Sequence, residues 1–224
     1  MMKRDGTESA KRSIIVVDDH PLFRKGVVQM LSSEPDLEVR AEAESSPSAL
    51  DLMRRTPVDL AIVDIGLHGS ANGIELTKSI KAEHPDLPVL VLSMHDEMLY
   101  ADRALRAGAR GYLMKREALD SVITAVRTVL SGEIYLSPTM AKRMIAEHVS
   151  GGVSGRSAIE KLTDRELEVL QLIGEGTEVR DIAEKLHISA KTVEAHRSHI
   201  KEKLNLNNAR EVARFAVQWV EQQR

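Results

Sequence analysis

Three carboxylates and one amine stand at the ends of apolar runs in the first half of this 224-residue chain. Asp18 and Asp19 end "SIIVV", Asp64 ends "LAIV", Ser93 ends "PVLVL", and Lys115 follows "RGYLM". A run such as Ile14–Val17 belongs inside a protein, and two like charges side by side at its end raise one another's pKa unless something positive lies between them. A hard divalent ion such as Mg²⁺ meets that need. It takes oxygen ligands and completes its shell with water or with the oxygens of a bound anion. Lys115 is then available to an incoming anion rather than to the carboxylates alone.

Such convergence requires that the runs share one edge. The first half alternates apolar stretches at 13–17, 37–43, 60–64, 88–94 and 110–114 with helical patterns at 21–33, 46–55, 72–84, 100–108 and 117–132. Val- and Ile-rich strands separated by helices imply a parallel sheet covered on both faces. The functional crevice of such a sheet lies beyond the carboxyl ends of its strands. The expected architecture is therefore α/β, a five-stranded doubly wound parallel sheet, followed by an all-α unit. After Gly132 the strand pattern does not return. A short helical pattern at 138–148 precedes "SGGVSGRS", whose glycines and serines predict a linker at about 150–157. From Leu162 onward four short helical patterns follow. Thr163 with Glu166 forms a capping box, and Ser189 suits an N-cap. The expected boundaries are 12–132 for the first domain, 133–157 for a linker with a short helix, and 158–224 for the last domain.

Composition excludes several classes. The chain is 42% hydrophobic and 29% charged with a net charge of −3, an ordinary globular balance. It has no cysteine, which removes disulfides and thiolate metal or redox sites. The longest apolar runs are too short to span a bilayer, and "MMKRDGTESAKR" does not read as a signal peptide, so a cytoplasmic location is expected. Residues 158–224 hold 11 Lys and Arg against 12 Asp and Glu, so that region is not basic as a whole. Its positive charge gathers around 191–203.

These motifs resemble a known family. "DDH" at 18–20, "IVDIGL" around Asp64, "LVLSMHDE" with Ser93 and "AGARGYLMK" with Tyr112 and Lys115 look like the receiver domain of a two-component response regulator. The tail from "LTDRELEVLQLIGEG" to "AREVARFAV" resembles the LuxR-type helix-turn-helix, and the two together look like a NarL/FixJ-type regulator. The resemblance implies that Asp64 accepts a phosphoryl group from a sensor histidine kinase. It implies that Asp18, Asp19, Asp64 and the carbonyl of Gly66 hold Mg²⁺, and that Ser93 and Lys115 contact the phosphoryl group. It makes Ser93 and Tyr112 the switch pair, with the last domain binding double-stranded DNA as a homodimer. Such a protein is a transcription regulator rather than an enzyme by role. An alternative is a helix-turn-helix regulator whose receiver acts without phosphorylation. An aspartyl-nucleophile phosphatase would usually need a second acid two residues after Asp64, where Gly66 stands. His20 and His95 are set aside as ligands, since loop histidines seldom serve. The segment "GLHGSANG" departs from the family's Met-Pro-Gly turn, and Gly69 and Gly73 are expected to supply its unusual dihedrals.

In the helix-turn-helix the residues 179–187 suit the scaffold helix and 189–204 the recognition helix. At 3.6 residues per turn, Val193, His196, Ile200 and Leu204 share one face. Lys191, Glu194, Ala195, Ser198 and Glu202 fall opposite, and Arg197, Lys201 and Lys203 flank the apolar stripe. The exposed set Lys191, Glu194, Ala195 and Ser198 is expected to meet base edges, and Arg197 and Lys201 to meet phosphate. His196 reads as a packed helix-face residue. The last helical pattern, at 208–223, suits dimerisation or plain packing.

Overall fold

The apolar runs become five strands: β1 (Arg12–Val17), β2 (Leu37–Ala43), β3 (Leu60–Asp64), β4 (Val89–Ser93) and β5 (Gly111–Met114). All pairings are parallel and the order is β2-β1-β3-β4-β5. Between them run α1 (Pro21–Ser32), α2 (Ser46–Arg55), α3 (Gly73–Glu83) and α4 (Glu97–Arg106). They are followed by α5 (Ala118–Leu130) and α6 (Pro138–Val149). The computed structural model describes residues 11–67, 72–94, 97–149 and 158–222. His68, Gly69, His95 and the expected Gly/Ser linker lie outside the described residues.

β3 and β4 are buried at every position because each strand is covered on both faces. Ile14, Val16, Leu60, Ile62, Leu90, Leu92 and Leu113 pack with Val27 and Leu31 of α1 and with Val122, Val126 and Val129 of α5. α2, α3 and α4 lie against β1 and β2, β3, and β5 respectively. Each large aliphatic side chain buried this way contributes roughly 1.5–3 kcal/mol. The strand order reverses between β1 and β3, the point at which open parallel sheets place their crevice.

Two local features differ from expectation. α4 begins at Glu97, three residues before the helical pattern at 100–108. The segment after α5 carries sheet pairing that its sequence does not advertise. Tyr135 forms an isolated parallel bridge with Gly111, with Tyr112 N–H donating to Tyr135 O at 2.9 Å and Tyr135 N–H to Arg110 O at 3.0 Å.

The described residues divide into two compact units, the first ending at Met144 within α6 and the second holding Asn72 and the chain from Ile145 onward. The second contains α7 (Asp164–Gly174), α8 (Val179–Lys185), α9 (Ala190–Lys203) and α10 (Ala209–Gln222). α7 packs against α9 and α10, and α8 against α9. Gly174 permits the α7–α10 approach: a Cβ there would sit 2.4 Å from the carbonyl oxygen of Ala216. The expected capping box is present, with Thr163 N–H donating to Glu166 Oε2 at 2.7 Å and Glu166 N–H to the Thr163 hydroxyl at 3.3 Å. Ser189 accepts from Thr192 N–H at 3.0 Å and so starts α9.

Glu166 does more than cap. It is buried, its Oε2 accepts from Lys203 Nζ at 2.6 Å, and its Oε1 lies 3.6 Å from His199 Nδ1. Burial pushes its carboxyl up, but the Lys203 ammonium and the Thr163 N–H outweigh that and hold it below the usual range. Its folded pKa is lowered. The stability it contributes is therefore present above the ordinary carboxylate range and lost as pH falls through the folded value. Glu166→Ala leaves both donors without this partner and is expected to cost about 1–3 kcal/mol. The chain's one tryptophan, Trp219, is buried in α10, so its fluorescence in urea reports this unit. A midpoint unchanged in Glu166→Ala contradicts the assigned role.

Candidate functional site

The sheet edge brings Asp18, Asp19, Asp64 and Lys115 together. Asp18 and Asp19 directly follow β1, Asp64 is the last residue of the neighbouring β3, and Lys115 opens a single 3-10 turn after β5. Lys115 Nζ lies 2.7 Å from Asp64 Oδ2 and 2.8 Å from Asp18 Oδ2. Asp18, Asp64 and Lys115 are all buried. The Lys115 ammonium also sits 4.6 Å from the ring centroid of Phe23, a cation–π contact that helps hold it over the edge. Asp18 Oδ1 accepts from the backbone N–H of His20 at 2.8 Å, and Arg24 donates to the carbonyl of Asp18, which fixes the turn after β1.

His20, set aside as a ligand on sequence grounds, lies beside these acids. Its Nδ1 is 2.7 Å from Asp19 Oδ1 and 3.8 Å from Asp64 Oδ2. Pro21 stands at the start of α1, where its fixed φ suits the first helical turn and its missing N–H is no loss. One ligand atom from each of Asp18, Asp19, His20 and Asp64 lies within 4.8 Å of the others, a spacing that one ion can bridge.

Asp64 is the perturbed group. Burial pushes its carboxyl up to about 6; Lys115 opposes this, Asp18 adds to it, and the backbone N–H of Gly66 opposes it by hydrogen bonding. One ammonium shared between two carboxylates does not fully compensate the buried charge, and this excess of negative charge is what a divalent cation would relieve.

Gly73 also departs from its expected role. A Cβ there would sit 2.0 Å from the carbonyl oxygen of Asp64, and its own N–H donates to Ile65 O at 2.9 Å. Close approach of α3 to the backbone of the acceptor strand, rather than an unusual dihedral, requires glycine at this position.

Ser93 is buried at the end of β4 and is paired in register with Met114. Tyr112, the other member of the expected switch pair, lies two residues inside β5 opposite Val91. Directly paired residues of parallel strands share a face, so Val91 and Ser93 lie on the same face as Tyr112 and Met114, with Tyr112 one step inward from Ser93. The offset follows from the register, since β5 runs on to Met114.

On α9, Lys191, Glu194, Ala195, Ser198 and Glu202 are exposed, Val193 and Ile200 are buried, and His196 is half-buried. Burial and the nearby Arg165 push the His196 imidazole down, which keeps it neutral as a packed residue. Arg197 is not a free flank cation: its guanidinium lies 2.7 Å from Glu194 Oε1, one helical turn away. Lys203 is taken by Glu166.

The comparisons with known proteins agree with this layout. Residues 14–127 match the response regulator receiver domain, and residues 160–216 match the luxR family of bacterial regulatory proteins. The transcriptional regulatory protein DegU of Brevibacillus brevis is 38% identical over 212 residues, covering 88% of this chain and 89% of that protein. The oxygen regulatory protein NreC of Staphylococcus carnosus is 36% identical over 208 residues, covering 91% of this chain and 96% of that protein. Among solved structures, RcsB from Salmonella enterica serovar Typhimurium, bound to a promoter in the presence of the phosphomimetic BeF3⁻, aligns with a TM-score of 0.61. Its identity is 26%, over 92% of this chain and 98% of that one. A LuxR-family two-component response regulator from Aurantimonas aligns with a TM-score of 0.58 and 31% identity, over 62% of this chain and 99% of that one.

Proposed function

The chain belongs to the response regulators that join a receiver domain to a LuxR-type DNA-binding domain, and from that premise we propose that phosphorylation of Asp64 by a sensor histidine kinase controls its binding to DNA. The observation that carries the reading is the buried Asp64 held 2.7 Å from Lys115 at the switch point of the sheet. Phosphoryl transfer asks for an in-line nucleophile and charge neutralisation. An ionised Asp64 oxygen attacks the phosphorus of the kinase phosphohistidine. The phosphorus–nitrogen bond breaks and its electron pair returns to the imidazole, leaving an acyl phosphate on Asp64. Lys115 pairs with a phosphoryl oxygen, and the Ser93 hydroxyl donates to another. Asp18, Asp19, Asp64 and the carbonyl of Gly66 would hold a Mg²⁺ ion, which supplies the remaining positive charge when bound. The acidic donor set and its excess negative charge fit such an ion.

The receiver comprises 12–132, the linker 133–157 and the DNA-binding domain 158–224. The output is regulation of transcription rather than turnover of a substrate. One solved structure of RcsB holds two dimers on two DNAs, which supports a homodimer on DNA here. DNA as partner supports a cytoplasmic location. No helix among the described residues is long and apolar enough to cross a membrane.

The test is the full chain treated with a small-molecule phosphodonor and Mg²⁺, with duplex affinity measured before and after loading. A gain in affinity that tracks acid-labile phosphate supports the reading, and full loading with unchanged affinity overturns the coupling. Ser93→Ala is expected to load phosphate, more slowly, and to show a smaller gain in DNA affinity. A gain equal to that of the wild type removes Ser93 from the switch.

A further inference from the structure

Glu97 opens α4, four residues after Ser93, and is buried. An acidic side chain at a helix N-terminus ordinarily serves its own helix. Both of its oxygens go elsewhere. Oε1 accepts from the backbone N–H of Ser137 at 2.9 Å, and Oε2 accepts from the Ser137 hydroxyl. The same hydroxyl accepts from Met140 N–H at 3.1 Å, as the cap of α6. One buried carboxylate thus lies at the N-termini of two helices, α4 and α6. Just before Ser137 the chain is pinned a second time, by the Tyr135 bridge to the outer edge of β5, whose hydrogen bonds come from Tyr112 N–H and go to Arg110 O. α6 is the helix through which the chain passes from the first compact unit into the second.

We propose that Glu97 is a positioning residue that couples the phospho-acceptor edge to helix α6 and holds α6 in the arrangement of the unphosphorylated protein. The inference rests on the function proposed above. Ser93 and Glu97 belong to one short connection, so a phosphoryl group that draws Ser93 toward Asp64 displaces the carboxylate that caps α6. A contact that this displacement breaks opposes it, so the tie favours the resting state. Thermodynamic coupling is reciprocal: a contact that restrains α6 also weakens binding at Asp64.

Beryllofluoride in saturating Mg²⁺ is the probe, titrated into the full chain as wild type, Glu97→Gln and Ser137→Ala. In Glu97→Gln one oxygen can still accept, but an amide N–H₂ replaces the second acceptor and faces a donor. In Ser137→Ala the backbone N–H contact is kept and the hydroxyl is lost. Duplex affinity is read with and without beryllofluoride, on a duplex selected with the activated wild type. Both variants are expected to bind beryllofluoride more tightly, by roughly five-fold or more. Each should show higher DNA affinity before activation by a similar factor and a smaller gain on activation. A purely structural tie lowers the unfolding temperature and leaves beryllofluoride affinity and the DNA ratio at their wild-type values; that result overturns the proposal. Weaker beryllofluoride binding in the variants overturns it as well. If Glu97→Gln fails to fold, the comparison rests on Ser137→Ala, whose altered group is the hydroxyl alone. Failure of the underlying reading is separately visible, since the wild type would then show no change in DNA affinity on binding beryllofluoride.

Discussion

Asp64→Asn will take up no acid-labile phosphate from a small-molecule phosphodonor under conditions that load the wild type. The amide is not a nucleophile toward phosphorus, and the remaining carboxylates, Asp18 and Asp19, lie on the neighbouring β1 side of the edge. Phosphate uptake by Asp64→Asn at the wild-type level shows that another residue is the acceptor. The same substitution carries a stability effect of definite sign. The folded protein lifts the Asp64 carboxyl from 3.8 to about 6, so at neutral pH and without a divalent ion the fold carries the disfavoured, ionised form. A shift of that size corresponds to about 3 kcal/mol. Protonation of a group whose folded pKa is raised restores stability as pH falls, here through the window from about 6 toward 4. Without divalent ions, Asp64→Asn should therefore be the more stable protein at pH 7.5. The shift already contains the opposing attraction of Lys115, and the neutral amide stands in for the protonated carboxyl, so the gain is on the order of that figure. At pH 5 the difference should shrink. Urea denaturation followed by circular dichroism at both pH values, with a chelator present, measures it. Added Mg²⁺ should stabilise the wild type at pH 7.5 and do so less at pH 5, where protons compete for the same oxygen atoms.

The second large effect lies on the recognition helix. Arg197→Ala and Lys201→Ala should weaken binding to every duplex and make the log–log salt dependence shallower by about one each, the mark of a lost phosphate contact. Glu194→Ala should behave differently. A carboxylate beside DNA is repelled unless it accepts from a cytosine amino group, and a good contact of that kind discriminates by about 1–3 kcal/mol. In the free protein Glu194 occupies the guanidinium of Arg197 at 2.7 Å. Removing it frees Arg197 for phosphate as well as deleting the base contact. Non-specific affinity should therefore stay equal or rise while sequence preference relaxes. The measurement is a salt titration of each variant on a selected and on a random duplex. If Glu194→Ala loses affinity equally on both, the carboxylate positions Arg197 or the helix itself, and this orientation of α9 should be abandoned.

What the chain announces by itself is what depends on neighbours in sequence. The alternation of β2 and the apolar run of β3 define those strands to the residue, since alternation and burial are properties of four to seven consecutive side chains. The box of Thr163 with Glu166 and the cap at Ser189 span three residues and are legible for the same reason. The exposed face of α9 follows from a period of 3.6. Parallel order then suffices to gather the acidic strand ends on one edge. Tertiary structure decided what depends on register and on partners far along the chain. Lys115 spans β4 to divide its charge between Asp64 and Asp18, 51 and 97 positions away, and no local pattern encodes that division. Tyr112 lies one step in from Ser93 because β5 ends at Met114. Gly73 is needed for the backbone of Asp64 rather than for its own dihedrals, and Glu97 caps a helix 40 residues downstream. Tyr135 joins an edge that only the assembled sheet presents. Local periodicity sets which face of an element is buried, whereas the partner of a buried charge depends on which strands lie side by side and in what register.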